Sequence, residues 1–496
     1  MAKRSRRTGL LVVAIGFVAW VAGVAWAFAS PIGSAPDDDY HNTSIWCPPP
    51  VDSSGCVVQR NEAGEVVTVQ VPTMVAGSAC EAFHGDVSAG CLSGLSDTVT
   101  TMTGRYDRGE YPGPYYRFMH VFVGTDAARS VLVMRIVNVT IAVLLLGALL
   151  ACATPQGRAL TAYAFLGSMV PLGMFIVASV NPSTWAVIGV PAAALALHVA
   201  TSARVGWSRW GAVAVAVVAA LLAALARGDS GAYLVVVATA VLVLNAGRRI
   251  VSVGRLLPYA AVCLIGVVSF LSARQTGVLT SAADQMPRSP SAVLLNNLLD
   301  LPNLLAGGYG FWGLGWLDTT MPSIVPLGTY AVACGLVMLG LSRLTIRKAL
   351  ALALVVAVLV VLPLLLLQRG LYTVGEWVQP RYLLPLLPVA LAVLLVGERA
   401  DRTLLLRGAQ PAVAVILLTV ANSVALMSTI RRYVTGDDGS YRLGQNAEWW
   451  WSFGPSPMVT WVLGSLAFAG LAGSLWWVSR QARLPAAEPS GADSPQ

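Results

Sequence analysis

Long apolar runs recur along almost the whole chain, and they leave few folds open. A bilayer core takes about 20 apolar residues in a helix rising about 1.5 Å per residue. Runs of that order lie near 9–30, 131–153, 159–180, 184–201, 209–226, 231–246, 256–273, 325–342, 349–368, 381–397, 408–428 and 458–478. They predict an all-α integral membrane protein with about twelve transmembrane helices, a single polytopic domain over residues 1–480. The runs at 184–201 and 231–246 are the shortest; merging one pair leaves eleven spans and puts the two ends on opposite sides. Only 11% of the 496 residues are charged and 56% are hydrophobic. A soluble domain carries roughly 25% charge and needs polar cover for its surface. The net charge of +8 does not indicate a nucleic-acid partner, because the basic residues punctuate the apolar runs and form no basic segment.

That punctuation predicts orientation. Short loops rich in Lys and Arg stay on the cytoplasmic side. The start, with Lys3, Arg4, Arg6 and Arg7, falls on one side with Arg158; Arg204 and Arg209; Arg248, Arg249 and Arg255; Arg343, Arg347 and Lys348; Arg399, Arg402 and Arg407; and Arg480 and Arg483. Of the acids, only Glu398, Asp401, Glu488 and Asp493 share that side. The expectation is a plasma (inner) membrane protein with both termini cytoplasmic and a disordered Pro/Ala/Ser-rich tail at 484–496. Ala27-Phe28-Ala29 resembles a signal-peptidase site, but the apolar run before it exceeds the usual 7–15 residues of a signal peptide, which favours a retained helix.

Three outer loops follow from this threading. The first, 31–130, holds Cys47, Cys56, Cys80 and Cys91. Four cysteines in an oxidising compartment suggest two disulfides, with nearest-neighbour pairing expected and no CxxC spacing to favour zinc. Val66–Val71 alternates as a strand does. A small disulfide-pinned extracytoplasmic cap is therefore expected between helices 1 and 2. Cys152, Cys263 and Cys334 lie in apolar runs as small hydrophobes. The second loop, 274–324, contains Leu294, Leu298, Leu301 and Leu305 at helical spacing, with Asn296, Asn297, Asp300 and Asn303 opposite. It reads as an interfacial helix interrupted at Pro302, or as a helix packed on the bundle. A glycine- and ring-rich stretch, 307–322, follows. The third loop, 429–457, carries Trp449, Trp450 and Trp451, which suit an interfacial belt or the stacking of a sugar.

Candidate chemistry concentrates just past the first helix. Asp37, Asp38 and Asp39 are adjacent and His41 follows. Neighbouring carboxylates repel, which raises at least one pKa, and such a group serves as a general base or holds a divalent cation; a solvated acidic turn is the plainer alternative. Arg135, Arg227, Arg274 and Arg381 stand at outer helix ends. Arg227 and Arg274 are expected to snorkel to headgroups, and Arg381 to have a specific role, its planar fork matching phosphate. Asn138, Asn181, Asp229, Asp318 and Glu376 are further polar residues near that surface. The chain has no Walker loop, no HExxH and no GxSxG.

Several of these pieces occur in an ordered set. Pro36-Asp37-Asp38-Asp39-Tyr40-His41 resembles a P-D-E-x-x-H element, Arg135-Ile136-Val137-Asn138 an R-x-x-N element, and Ser179-Val180-Asn181-Pro182 an S-x-N-P-D turn. Gly313 to Asp318 resembles a G-x-x-G-W-L-D loop, and Gln379 to Pro385 a Q-G-R-Y-x-x-P element. Together, over residues 10–430, they resemble a family of bacterial, actinobacterial-type predicted membrane proteins of unassigned function, grouped with the C-type (GT-C) glycosyltransferases. The chain departs from that pattern at Asp38 (Glu in the family), Ser183 (Asp) and Pro380 (Gly), and its cysteine-bearing insertion at about 47–91 looks lineage-specific. The resemblance implies a GT-C-like fold and an inverting transferase. It would move sugar from a polyprenyl-phosphate-linked donor to a cell-envelope glycan or glycoprotein on the extracytoplasmic face. Asp37 or Asp38 would be the base, assisted by His41; Arg381 and Arg135 would bind the donor phosphate; Tyr382, Trp316, Asp318 and Asn181 would contact substrate. No organic cofactor is implied; a Mg or Mn ion, if used, would fall to Asp37 and Asp38. Two rival readings are a transporter or flippase for a lipid-linked envelope precursor, and a non-catalytic assembly partner.

Overall fold

A computed structural model describes residues 2–203, 206–246, 252–273, 288–376, 378–399 and 402–483. Arg204, Arg248, Arg249, Arg274, Asp401 and the 484–496 tail lie outside the described residues.

The described chain is mostly helical. In order, the elements are α1 (Ala2–Phe28), α2 (Asp38–Trp46), β1 (Val58–Arg60), β2 (Val66–Pro72), α3 (Thr73–Ala76), β3 (Thr100–Thr103), α4 (Gly113–His120), α5 (Ala127–Cys152), α6 (Pro155–Leu166), α7 (Leu172–Val177) and α8 (Ser183–Ser202). There follow α9 (Trp207–Ala226), α10 (Asp229–Asn245), α11 (Val253–Ser272), α12 (Pro290–Ala306), α13 (Ile324–Leu341), α14 (Ile346–Gly370), α15 (Pro380–Leu383), α16 (Leu387–Leu395), α17 (Gln410–Thr435) and α18 (Pro457–Arg483).

Nine helices among the described residues are long and apolar enough to cross a membrane: α1 from Gly9, α5, α8, α9, α11, α13, α14, α17 and α18. The other three expected spans differ from simple crossing helices. The 159–180 run is broken into α6 and α7, because Pro171 supplies no amide hydrogen and restricts Val170 before it. The 231–246 run is a helix of 17 residues. The 381–397 run is the short α15, a 3₁₀ turn over Leu384–Leu386, and α16. Local caps set several helix starts: Asp126 accepts the Arg129 amide, Thr154 that of Gly157 and Thr345 that of Lys348. Within the bundle α8 is buried almost throughout, whereas α1, α11 and α14 leave much of their apolar surface open. That distribution suits lipid contact at the rim and protein contact at the centre.

The cap is mixed rather than helical. It contains a three-stranded antiparallel sheet, ordered β1-β2-β3, with Val69 opposite Val58 and Thr103. Val69 and Val71 point into a core with Ile32, Ile45, Tyr115 and Tyr116, while Gln70 faces outward, as the alternation in 66–71 predicts. The disulfides are Cys47–Cys56 and Cys80–Cys91, as nearest-neighbour pairing predicts. Arg432 ties the cap to α17 by donating to the Glu81 and His84 carbonyls and to Asp318, and Asp437 N donates to Gly85 O at 2.8 Å.

The expected interfacial helix exists as α12, but it runs through Pro302 without a break. Its buried face is Val293, Asn297, Leu301 and Leu304, and Leu294, Leu295, Leu298 and Leu299 are exposed. Asn297 is inside because its amide donates to Tyr372 O (2.8 Å) and accepts from Val374 N (2.9 Å). A satisfied amide is no bar to burial.

Candidate functional site at the end of helix α1

The site is built around one loop, residues 29–37, between α1 and α2. Gly33 lets this loop pass directly beneath the cap. It has φ +87°, and a Cβ there would lie 2.1 Å from Ser78 O.

Five distant side chains clamp this loop. Arg135, fully buried on α5, donates to Ser30 O and Pro31 O, each at 2.6 Å, and to Ala27 O at 3.2 Å. It thereby satisfies carbonyls left open where α1 ends. Asn181 donates to Pro36 O at 3.0 Å, Trp316 Nε1 to Gly33 O at 2.8 Å, and Tyr433 OH to Ser34 O at 3.2 Å. Arg381 donates to Pro36 O at 3.2 Å. Asn138, one turn beyond Arg135, braces the rear: its amide donates to Ser179 O at 2.8 Å and accepts from Trp185 Nε1 at 3.0 Å.

The two leading aspartates part company here. Asp37 stands at the N-cap of α2 in a left-handed conformation, φ 61°, which Asp tolerates better than most residues. Its carboxylate is 35% exposed and meets Arg381 Nη2 at 2.6 Å and Arg105 Nη2 at 3.4 Å. Burial raises its pKa, but Arg381, His41 and Arg105 outweigh that and bring it down to about 2, so it is ionised at neutral pH. Asp38, the first residue of α2, points inward and has no exposure. Its Oδ2 accepts from Ala35 N at 3.1 Å and faces Arg135 Nη2 at 3.6 Å; Oδ1 has no partner among the described residues. Burial pushes its pKa up to about 7, against the opposing pull of Arg135. The two carboxyls face different arginines. Among the described residues the one metal-like grouping is Cys80, Glu81 and Cys91, and both cysteines are in the disulfide.

His41 is buried, with Nδ1 2.9 Å from Tyr116 OH and its ring edge-on to Tyr40 and Tyr111. Burial drives its pKa down to about 3, which makes it a neutral imidazole. Arg105, following β3, reaches Asp39 through Nε and Nη2, both at 2.9 Å, and so brings a cap cation to the site.

Arg227 does not snorkel. It is buried, forks onto Asp229 at 2.9 and 2.6 Å, and donates to Ser183 Oγ at 3.0 Å. Its guanidinium lies 4.7 Å from the Tyr382 ring centroid, and that of Arg381 lies 5.0 Å from the same ring. Tyr382 OH also accepts from Arg381 Nη2 at 3.1 Å. Reading each residue by its own surroundings sends Arg227 to the headgroups and misses Arg105. The signal for Arg227 is Arg227-Gly228-Asp229 itself, opposite charges straddling a glycine at a helix junction. Arg105 has no comparable local signal.

Asp318 accepts from Arg432 at 3.1 Å and from Phe83 N at 3.0 Å, a junction between the cap and α17 beside the loop clamp. Among the expected substrate contacts, Tyr382 lies against Asp37's partner Arg381, whereas Trp316 and Asn181 each donate a hydrogen to the loop. Beside the site, a groove of about 420 Å³ runs between α9 and α11, lined by Leu221, Leu225, Leu264 and Val268 and roofed by Tyr111 and Pro112. Tyr111 joins groove and site: its ring lies 5.8 Å from the Arg227 guanidinium.

The model of a family described as Predicted membrane protein (DUF2142) matches residues 20–390. The chain belongs to this family. The match runs from the last third of α1 to the first half of α16 and so includes Asp37, Arg135, Asn181, Arg227, Trp316 and Arg381. For this DUF2142 member, no curated protein and no solved structure matches.

Proposed function

We propose that this chain is a membrane glycosyltransferase. It takes a sugar linked to a polyprenyl phosphate and transfers it, with inversion, to a hydroxyl of a cell-envelope acceptor on the extracytoplasmic face. The observation that carries the reading is the Asp37–Arg381 contact, 2.6 Å across 344 residues of sequence, next to a second buried arginine and an apolar groove. A carboxylate, two guanidinium groups and a lipid-sized groove at one helix end suit an anionic lipid-linked substrate.

In this reading Asp37 is the base. It is ionised and part exposed, whereas Asp38 is sealed. The acceptor hydroxyl gives its proton to Asp37 as its oxygen bonds to the anomeric carbon. The bond from that carbon to the phosphate oxygen breaks, and its electron pair leaves on the phosphate. Arg381 and Arg227 stabilise the charge that develops there. Engagement of Arg381 by the donor phosphate also withdraws it from Asp37, which raises the basicity of that carboxylate when the donor is in place. His41 is a positioning residue, held neutral behind the Asp37 loop. Arg135 has its donors on the α1 end and Asp38, so the phosphate role passes from Arg135 to Arg227.

The test is sugar transfer in membranes supplied with a polyprenyl-phosphate-linked sugar. Asp37→Asn is expected to lower transfer at least a hundredfold with the protein still folded. Full transfer by Asp37→Asn and by Arg381→Ala would remove the proposal.

A further inference from the structure

At the opposite end of the bundle lies a second cavity, lined by arginines and leucines. Trp451 Nε1, just before α18, donates to Phe28 O at the end of α1, so α18 begins at the capped end and finishes at the other. α13 runs the same way, since it starts at Ile324, eight residues after Trp316, whose Nε1 donates to Gly33 O in the clamped loop. The far ends of both helices, with the start of α17, enclose an open cavity of about 640 Å³.

Three arginines from separate elements line it: Arg343 after α13, Arg407 before α17 and Arg483 at the end of α18. Arg343 pairs with Glu398 at 3.2 Å, an exposed bridge of little energetic weight. Arg483 donates one hydrogen to Leu406 O. Arg407 is exposed and has no side-chain partner among the described residues. Three guanidinium groups thus face one described carboxylate. Lys348 Nζ adds a buried cation behind this end of α13, where it donates to Gly340 O at 3.1 Å and Arg343 O at 3.0 Å and offsets their negative ends. Leu339, Leu404 and Leu405 form the apolar part of the lining.

We infer that this cavity binds the head group of an anionic phospholipid, with its acyl chains lying over the leucines. The unmatched positive charge specifies an anion. The apolar lining and the position at the ends of membrane-crossing helices specify a lipid rather than free phosphate. This is the end whose loops carry the Lys and Arg excess, the side on which anionic lipid attracts basic residues. The inference is independent of the transferase proposal, because no residue is shared between the two sites.

The experiment is native mass spectrometry of the full chain purified in a neutral detergent and titrated with phosphatidylglycerol, phosphatidylcholine or inorganic phosphate. Phosphatidylglycerol is expected to bind at least tenfold more tightly than phosphatidylcholine and to resist displacement by millimolar phosphate. Arg407→Ala should weaken phosphatidylglycerol about fivefold, the share of one basic residue near a membrane surface, and Arg407→Lys should restore it. Arg60→Ala, in the cap, should leave binding unchanged. Equal binding of the two lipids, displacement by phosphate, or an Arg407→Ala variant that binds as tightly as the parent would each overturn the inference.

Discussion

Replacing Arg135 by Met tests whether the loop after α1 is held from behind, as the geometry requires. The guanidinium serves Ala27 O, Ser30 O, Pro31 O and Ser34 Oγ, and it faces Asp38. Breaking a buried ion pair by removing one partner costs about 3–5 kcal/mol, mostly because a charge is stranded. Here the stranded group has an escape. Asp38 is already raised to about 7 with Arg135 beside it, so without Arg135 it takes up a proton at neutral pH. What remains is three carbonyls deprived of their donor, at about 1 kcal/mol each, which puts the variant near the lower bound, about 3 kcal/mol. The loop should open about a hundredfold more often, read as faster hydrogen exchange at the Asp38 and His41 amides, which bond to Ala35 O and Asp37 O. Asp38→Asn should cost less, about 1–2 kcal/mol, since Arg135 keeps its carbonyls. Because the two residues touch, the double variant should fall short of the sum of the singles by about 1 kcal/mol. Single variants within about 0.5 kcal/mol of the parent, or an additive pair, would refute the clamp.

Other outcomes follow from the same geometry. Asp38 is raised from 3.8 in the unfolded chain to about 7 when folded, so the folded state holds the extra proton; its stabilising contribution is full below pH 3.8 and is lost as pH rises through 7. The melting temperature of Asp38→Asn should therefore decline less than that of the parent between about pH 4 and pH 7. Asp37 has the opposite sign: its contribution is present above pH 3.8 and lost as pH falls towards 2, a loss that Asp37→Asn should abolish in acid melts. Removing Cys80–Cys91 opens a loop of sequence separation 11 and should destabilise the cap by about 3 kcal/mol, seen as proteolysis within 80–91 while the helices stay intact. Arg227→Lys keeps the charge but loses the fork onto Asp229 and the stacking on Tyr382, and it should cost transfer at least tenfold without lowering the melting temperature as far as Arg135→Met does.

How much of this was legible in the sequence depends on whether a residue's role is set locally. Membrane helices announce themselves by composition, because the bilayer imposes one length and one chemistry. The cap strand shows in the alternation at 66–71, and the two short cysteine spacings close without crossing. The join of Asp37 to Arg381 was approachable because each stands at a helix end beside other polar residues. Burial was not approachable. Asp38 and Asp37 are chemically identical neighbours, and the sealed one differs only in being the first residue of a helix that turns it inward. The same blindness misplaced Asn297 of α12: Asn296, Asp300 and Asn303 are exposed, but Asn297 is inside because distant carbonyl and amide groups at Tyr372 and Val374 await it. It also turned Arg227 outward, since snorkelling and burial leave one signature in sequence when the pairing carboxylate is unrecognised.

The left-handed backbone at Asp37 gives the loop its meaning. A non-glycine residue held there costs about 1–3 kcal/mol, and such conformations survive where surrounding contacts over-determine them. Arg135, Asn181, Trp316, Arg381 and Tyr433 supply that over-determination, and they do so through the loop's carbonyls, independently of the Asp37 carboxylate. The consequence is a division of labour within three consecutive acids. Asp38 is buried with the clamp and Asp39 is spent on the cap through Arg105. Asp37 is left the most exposed of the three, closely paired with Arg381 and more distantly with Arg105. A loop secured only by the Asp37–Arg381 pair would collapse when that pair parted; one secured through its backbone keeps its shape while the pair opens. Asp37→Ala should accordingly leave hydrogen exchange at residues 30–36 unchanged, and a general rise across that loop would mean that the carboxylate, not the clamp, holds the chain in place.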